Sequence, residues 1–142
     1  MCKPPHALGP TIKRINDYMA KEANRHLKAH NLTLAQNRLL MTLYRQAEYT
    51  ATLKELEGLF HVSQPTVVGL AARLEAKGFV TRCPDPCDRR IKHVRLTEAG
   101  RAMCLASLED IHTLEEKLTA PLTPEERAAF ADMLTRIAAS MR

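Results

Sequence analysis

Cys83 and Cys87 stand four residues apart around Pro84-Asp85-Pro86 and are followed at once by Asp88-Arg89-Arg90. Two thiols at this spacing can form a redox pair, since neighbouring cations favour the reactive thiolate. A disulfide between them would deform the turn and weaken its hold on a polyanion. They can also serve as metal ligands with His93 as a third, but a closed zinc site takes four ligands, and no metal or other cofactor is expected. A third reading makes them two small residues of an exposed loop. Arg89, Arg90 and Lys92 carry a different chemistry, being long cations on a turn that suit a narrow, electronegative minor groove.

A second group of polar residues follows His61-Val62. Ser63, Gln64, Pro65, Thr66 and Val67 form the first turn of a helix, where free backbone N–H groups favour phosphate. Gln64 is the candidate for reading a base edge, because its amide can pair with adenine in two places. Arg73, further along, is a candidate for a phosphate contact or a helix-packing role, and His61 for a phosphate contact. His26 and His30 have helical spacing for a shared metal face but lack an acidic or thiol neighbour in sequence. Cys2 reads as a terminal thiol and Cys104 as a small helix residue. A glycine-rich phosphate loop, a nucleophile–base motif and the Cys-x-x-Cys opening of a thioredoxin-like helix are all missing, so an enzyme is not expected.

The elements that position these residues are clearly punctuated. Thr11–Ala29 repeats apolar residues at steps of three and four through Ile12, Ile15, Met19, Ala23 and Leu27, which predicts an amphipathic helix. Thr33-Leu-Ala-Gln36, Thr52-Leu-Lys-Glu55 and Thr123-Pro-Glu-Glu126 are capping boxes, each opening a helix. Ser63 and Pro65 suit the start of another, and Gly78 its left-handed end. After Gly78 the period changes to two. Phe79–Arg82 and Ile91–Leu96 read as strands of a hairpin, broken by Pro84-Asp85-Pro86. Thr97 caps a long helix that Pro121 interrupts. The fold class predicted is mainly α with a small β-hairpin: a winged helix-turn-helix over 33–96, flanked by dimerisation helices at 11–29 and 97–142.

The outer helices pose a burial problem. Ile12 to Leu27, Met103 to Leu118 and Phe130 to Met141 all need partners, and a two-fold homodimer supplies them; folding back on the same chain is the alternative. The chain has 142 residues and a formal charge of +5, and one domain is expected. Basic residues outnumber acidic ones by nine to five over residues 1–62 and by eight to four over 63–101, whereas acidic residues lead by seven to four from 102 onward. A basic middle suits a phosphate-facing surface. Without a signal peptide or a membrane-length apolar run, a cytoplasmic protein with reduced cysteines is expected, binding double-stranded DNA and no membrane.

The run from Ser63 through Leu74-Glu-Ala-Lys-Gly78-Phe-Val80, then Arg82, Asp88-Arg89-Arg90 and Leu96-Thr-Glu-Ala-Gly100, resembles the MarR family of bacterial transcription regulators. The resemblance implies a homodimeric regulator, a repressor, on a pseudo-palindromic operator. The helix from Ser63 to Lys77 would enter the major groove and the hairpin tip with Arg90 would reach the minor groove or its flanking phosphates, while Asp88 would hold an arginine by an ion pair. It also implies release by a small aromatic effector, for which Arg14, Tyr18, Met41, Tyr44 and Leu56 are the candidate lining; release by thiol oxidation at Cys83 and Cys87 is the reading of the residues themselves. Gly69 departs from relatives that carry a larger residue on the groove-facing side. A non-specific architectural DNA binder is the competing function, distinguished by equal affinity for all duplexes.

Overall fold

The computed structural model describes residues 7–141, so Cys2 and the opening residues lie outside it. In chain order the elements are α1 (Leu8–Ala29), α2 (Leu34–Tyr44), a short 3-10 turn (Ala47–Tyr49), β1 (Thr50–Thr52), α3 (Leu53–Phe60), α4 (Gln64–Ala76), β2 (Val80–Pro84), β3 (Lys92–Leu96), α5 (Glu98–Thr119) and α6 (Pro124–Ser140).

Capping chemistry sets most of the boundaries. Thr33, Thr52 and Thr123 each accept from the backbone N–H three residues on, and the glutamine or glutamate there returns to the cap, so all three predicted boxes are present. The end of α4 closes with Gly78 at φ +82°, where Gly78 N–H donates to the Glu75 carbonyl and Phe79 N–H to Leu74, the paired bonds of a Schellman end. α1 starts at Leu8, three residues before the predicted Thr11. Thr11 is not its cap; its hydroxyl donates back to the Ala7 carbonyl at 2.9 Å.

The sheet has three antiparallel strands in the order β1-β3-β2. β3 is central, pairing Ala51 with Val94 on one side and Val80 with Leu96 on the other. Val80, Val94 and Leu96 are buried, and the alternation of Val94 and Leu96 with more exposed neighbours along β3 turns one face of the sheet to the core. The predicted hairpin is therefore present with its strands shifted to 80–84 and 92–96, and β1 was not anticipated. Three residues are too few to show a period of two, and β1 is entered through Glu48 and Tyr49, both at positive φ, a conformation sequence pattern does not announce for residues of this type.

The core joins α2, α3, α4 and the sheet through Leu39, Leu40, Leu43, Leu56, Val67, Leu74 and Val94, all fully buried. Gly100 in α5 is required by contact, because a methyl group on its Cα would overlap the Phe79 carbonyl oxygen. Thr97 fixes the same corner. Its hydroxyl donates to the Gly78 carbonyl at 2.6 Å and accepts from Gly100 N–H at 3.0 Å. The Leu-Thr-Glu-Ala-Gly run thus welds α5 to the end of α4. The outer helices contrast with this core: α6 buries none of its residues, and Ile12, Ile137 and Met141 are 60%, 58% and 76% exposed.

Candidate nucleic-acid interface

α4 follows α3 through His61, which adopts the left-handed conformation at φ 54°. Ser63 sits at the N-cap, yet its side chain caps nothing: its Oγ lies 3.0 Å from the Thr66 hydroxyl instead. Ser63, Gln64, Pro65 and Thr66 are all exposed, so the first turn presents short polar groups to solvent, and Arg73 is exposed two turns later. Val67 is a correction. It was grouped with the DNA-contacting residues but is fully buried, because Val67, Ala71 and Leu74 form the stripe by which α4 enters the core. Gly69 has a clear space around it; a Cβ there would meet nothing within 4 Å.

The hairpin tip is organised by two aspartates. Asp85 Oδ1 accepts from Cys87 N–H at 2.8 Å and Asp88 N–H at 3.1 Å, while its Oδ2 lies 2.7 Å from His93 Nε2. The His93 contact first, then the two backbone donors, hold the Asp85 carboxyl below its ordinary range. Asp88 grips Arg90 in two places, accepting from Nε and from Nη2 at 3.1 Å each, and also from the Arg90 backbone N–H at 3.0 Å. Its carboxyl is likewise lowered by Arg90. Such a two-point grip sets the direction of the guanidinium. Arg90 itself remains 90% exposed, and Arg89 and Lys92 are exposed beside it.

Two residues of the Leu-Glu-x-Lys-Gly run tie this surface together. Glu75 on α4 accepts from the Arg82 backbone N–H at 2.9 Å, from its Nε at 3.2 Å and from its Nη2 at 2.9 Å, and its carboxyl is lowered by those bonds. The hairpin is thereby braced against α4, with a groove of about 460 Å³ between them lined by Val68, Glu75, Arg82, Cys83 and Lys92 among others. Lys77 points the other way. It donates to Gln36 Oε1 at 2.8 Å and to the Asn31 carbonyl, joining the end of α4 to the turn between α1 and α2. Glu75, Lys77, Asp85 and His93 were missed as positioning groups. The signal for the first two was the run itself, quoted for its resemblance and not for its contacts.

The remaining candidates separate. Cys83 and Cys87 are both free and exposed. Among the described residues no three His, Cys, Asp or Glu side chains are grouped to hold a metal ion, and the His93 ring is taken by Asp85. Cys104 is buried, its thiol 3.5 Å from the Leu40 carbonyl, and burial pushes it up to about 11. His26 faces Asp110 on α5 at 3.5 Å. The five effector candidates lie in different settings: Leu56 and Met41 are closed into the core, Arg14 and Tyr18 are exposed on α1, and Tyr44 stacks on Tyr49 with ring centroids 5.6 Å apart. The reason is local, since Leu56 and Met41 supply the apolar side that α3 and α2 need for burial. A cleft of about 390 Å³ does lie between α1, α5 and α6, lined by Ile12, Ile15, Met19, Leu118, Phe130 and Leu134 among others.

A model of the MarR family matches residues 30–91, the span from the α1–α2 turn to the hairpin tip. The chain is 30% identical over 135 residues to the multiple antibiotic resistance protein MarR of Escherichia coli K12, covering 92% of this chain and 90% of that protein. The crystal structure of apo wild-type MarR from E. coli superposes with a TM-score of 0.77 at 29% identity, covering 95% of this chain and 98% of the other. A mutant MarR from E. coli complexed with operator DNA gives a TM-score of 0.68 at 30% identity, covering 92% of each chain. With the winged helix, the braced hairpin and this likeness along nearly the whole length, the chain belongs to the MarR family.

Proposed function

We propose that the protein is a sequence-specific DNA-binding transcription regulator, acting as a homodimeric repressor on a pseudo-palindromic operator. One observation carries this reading: the exposed first turn of α4 and the Arg90 finger are held on one rigid lobe by the Glu75–Arg82 brace. A helix in one groove and a cationic finger in the next need that fixed relation. The relative solved with operator DNA supports the same use of the lobe. In this reading Gln64 and Thr66 face base edges, Ser63 and Arg73 face phosphate, and Arg89, Arg90 and Lys92 serve the hairpin side.

The homodimer is supported by the apolar residues left uncovered on α1, α5 and α6. Residues 11–29 and 97–142 form its interface in this reading, and 33–96 the DNA-binding lobe. Release from DNA is through a small aromatic effector or oxidation of the hairpin thiols. Of the effector candidates Met41 and Leu56 are buried and Arg14 and Tyr18 exposed, whereas Cys83 and Cys87 are both exposed residues.

The test is binding to the duplex upstream of the protein's own gene against a scrambled duplex of equal length at moderate salt. A specific regulator prefers the first by about a thousandfold or more; equal affinities would establish the architectural binder instead.

A further inference from the structure

Cys83 and His93 are directly paired residues of β2 and β3. Directly opposed residues of an antiparallel pair share a face, with Cβ atoms about 5 Å apart. That face is the one away from the core, since Val94 next to His93 is buried and Cys83 is exposed. The imidazole of His93 is in turn oriented by Asp85 Oδ2 at 2.7 Å. The register thus sets Cys83 opposite His93, and the His93 ring against Asp85, the sequence in which a nucleophile, a base and its orienting group are arranged. Cys87, the second free thiol, is bound through its backbone N–H to the other oxygen of the same Asp85 at 2.8 Å.

We propose that the hairpin is a hydroperoxide-sensing site in which Cys83 is the attacking thiol, His93 its base and Cys87 the resolving thiol. His93 takes the Cys83 proton. The sulfur attacks one oxygen of the peroxide, the O–O bond breaks, an S–O bond forms, and the departing hydroxide takes the proton from the imidazolium as water. Cys83 is oxidised to the sulfenic acid and the peroxide is reduced. Cys87 then attacks that sulfur; the S–S bond forms, the S–O bond breaks, and a second water leaves with the Cys87 proton.

The consequence for DNA follows from Asp85. A disulfide imposes its own separation and dihedral on the two residues it joins, and in the proposed switch that closure pulls the Cys87 backbone N–H off the Asp85 carboxylate. Asp85 also holds Asp88 N–H, and Asp88 aims Arg90. The bridge thus disorders the Arg90 finger through two steps of contact. This inference rests on the hairpin being a DNA contact.

The experiment treats the full-length reduced protein and its Cys83→Ser, Cys87→Ser and double variants with stoichiometric hydrogen peroxide. Intact mass and non-reducing peptide maps are read separately from binding to the upstream and scrambled duplexes. Wild type is expected to lose two hydrogens, to give a Cys83–Cys87 peptide, and to bind the upstream duplex roughly tenfold more weakly, with recovery on adding dithiothreitol. Cys87→Ser is expected to stop at a Cys83 sulfenic acid trapped by dimedone, and the double variant to keep its binding. In the Cys87→Ser background, His93→Gln should slow dimedone labelling, and free imidazole should restore part of the rate. A bridge to Cys2 or Cys104, a bridge between chains, loss of binding in the double variant, or a formed bridge with unchanged affinity overturns the proposal; an unchanged labelling rate in His93→Gln removes the base. If the reduced wild type itself fails to distinguish the two duplexes, it is the regulator reading that fails, while the mass and labelling data still decide the thiol chemistry.

Discussion

Glu75 holds Arg82 by three hydrogen bonds, two from the guanidinium and one from the backbone. The last fixes the strand and not merely a side chain, so the angle between α4 and the hairpin is set by a single carboxylate. Glu75→Gln keeps the shape of the side chain and removes its charge. It is expected to weaken DNA binding in the same direction as Arg90→Ala, and the double variant should bind more tightly than the sum of the two losses predicts. Fluorescence anisotropy on one labelled duplex for the four proteins measures this.

Arg90→Ala should lower affinity for all duplexes and reduce the slope of log affinity against log salt by about one. Gln64→Ala should behave differently, leaving the salt slope in place and relaxing the preference at one base pair by about 1–3 kcal/mol. Salt titrations on a set of single-base operator variants separate the two; identical behaviour would dismiss the assignment of finger and reader.

Gly69→Ala should stabilise the fold by about 1 kcal/mol, because the helix interior favours alanine and a methyl group there meets nothing within 4 Å. Urea unfolding gives the number. A loss of operator affinity in this more stable protein would show that the surface needs the backbone bare at this point.

Gly100→Ala should have the opposite sign. The added methyl group overlaps the Phe79 carbonyl, and overpacking of this kind costs about 1–3 kcal/mol. A lowered urea midpoint with an unchanged slope is the expected result.

Acid should open the hairpin only at low pH. Asp85, Asp88 and Glu75 all have carboxyls lowered from ordinary values of 3.8, 3.8 and 4.5. A group whose folded value is depressed contributes stability above its unfolded value and loses it as pH falls through the folded one. The hairpin contacts should therefore persist from neutral pH down to those ordinary values and disappear below them. Carboxyl chemical shifts followed by NMR check the order of events.

The helices, the caps and the hairpin were legible because each is a local pattern: an apolar period, a threonine three residues before a glutamate, a glycine after a lysine. Gln64 and Arg90 were legible as exposed polar groups for the same reason. Val67 was misread because it lies between polar neighbours in sequence, while the helical stripe it shares with Ala71 and Leu74 belongs to the core. The burial of Met41 and Leu56 was not legible for a related reason, since an apolar residue can face a ligand or a neighbouring helix and its type does not say which. Glu75–Arg82, Lys77–Gln36 and Asp85–His93 were not seen because their partners are separated by 7, 41 and 8 residues and no periodicity links them.

α6 has 17 residues and buries none of them within its own chain. Most helical stability in proteins comes from packing of an apolar face, so a helix packed this lightly gains from whatever comes to cover it. If that cover is a second copy, heat resistance should climb with protein concentration. Newly made chains, still scarce, would then be the ones most open to proteolysis. The cell would acquire a working pool of this regulator abruptly, once synthesis outruns degradation, and not in proportion to the message.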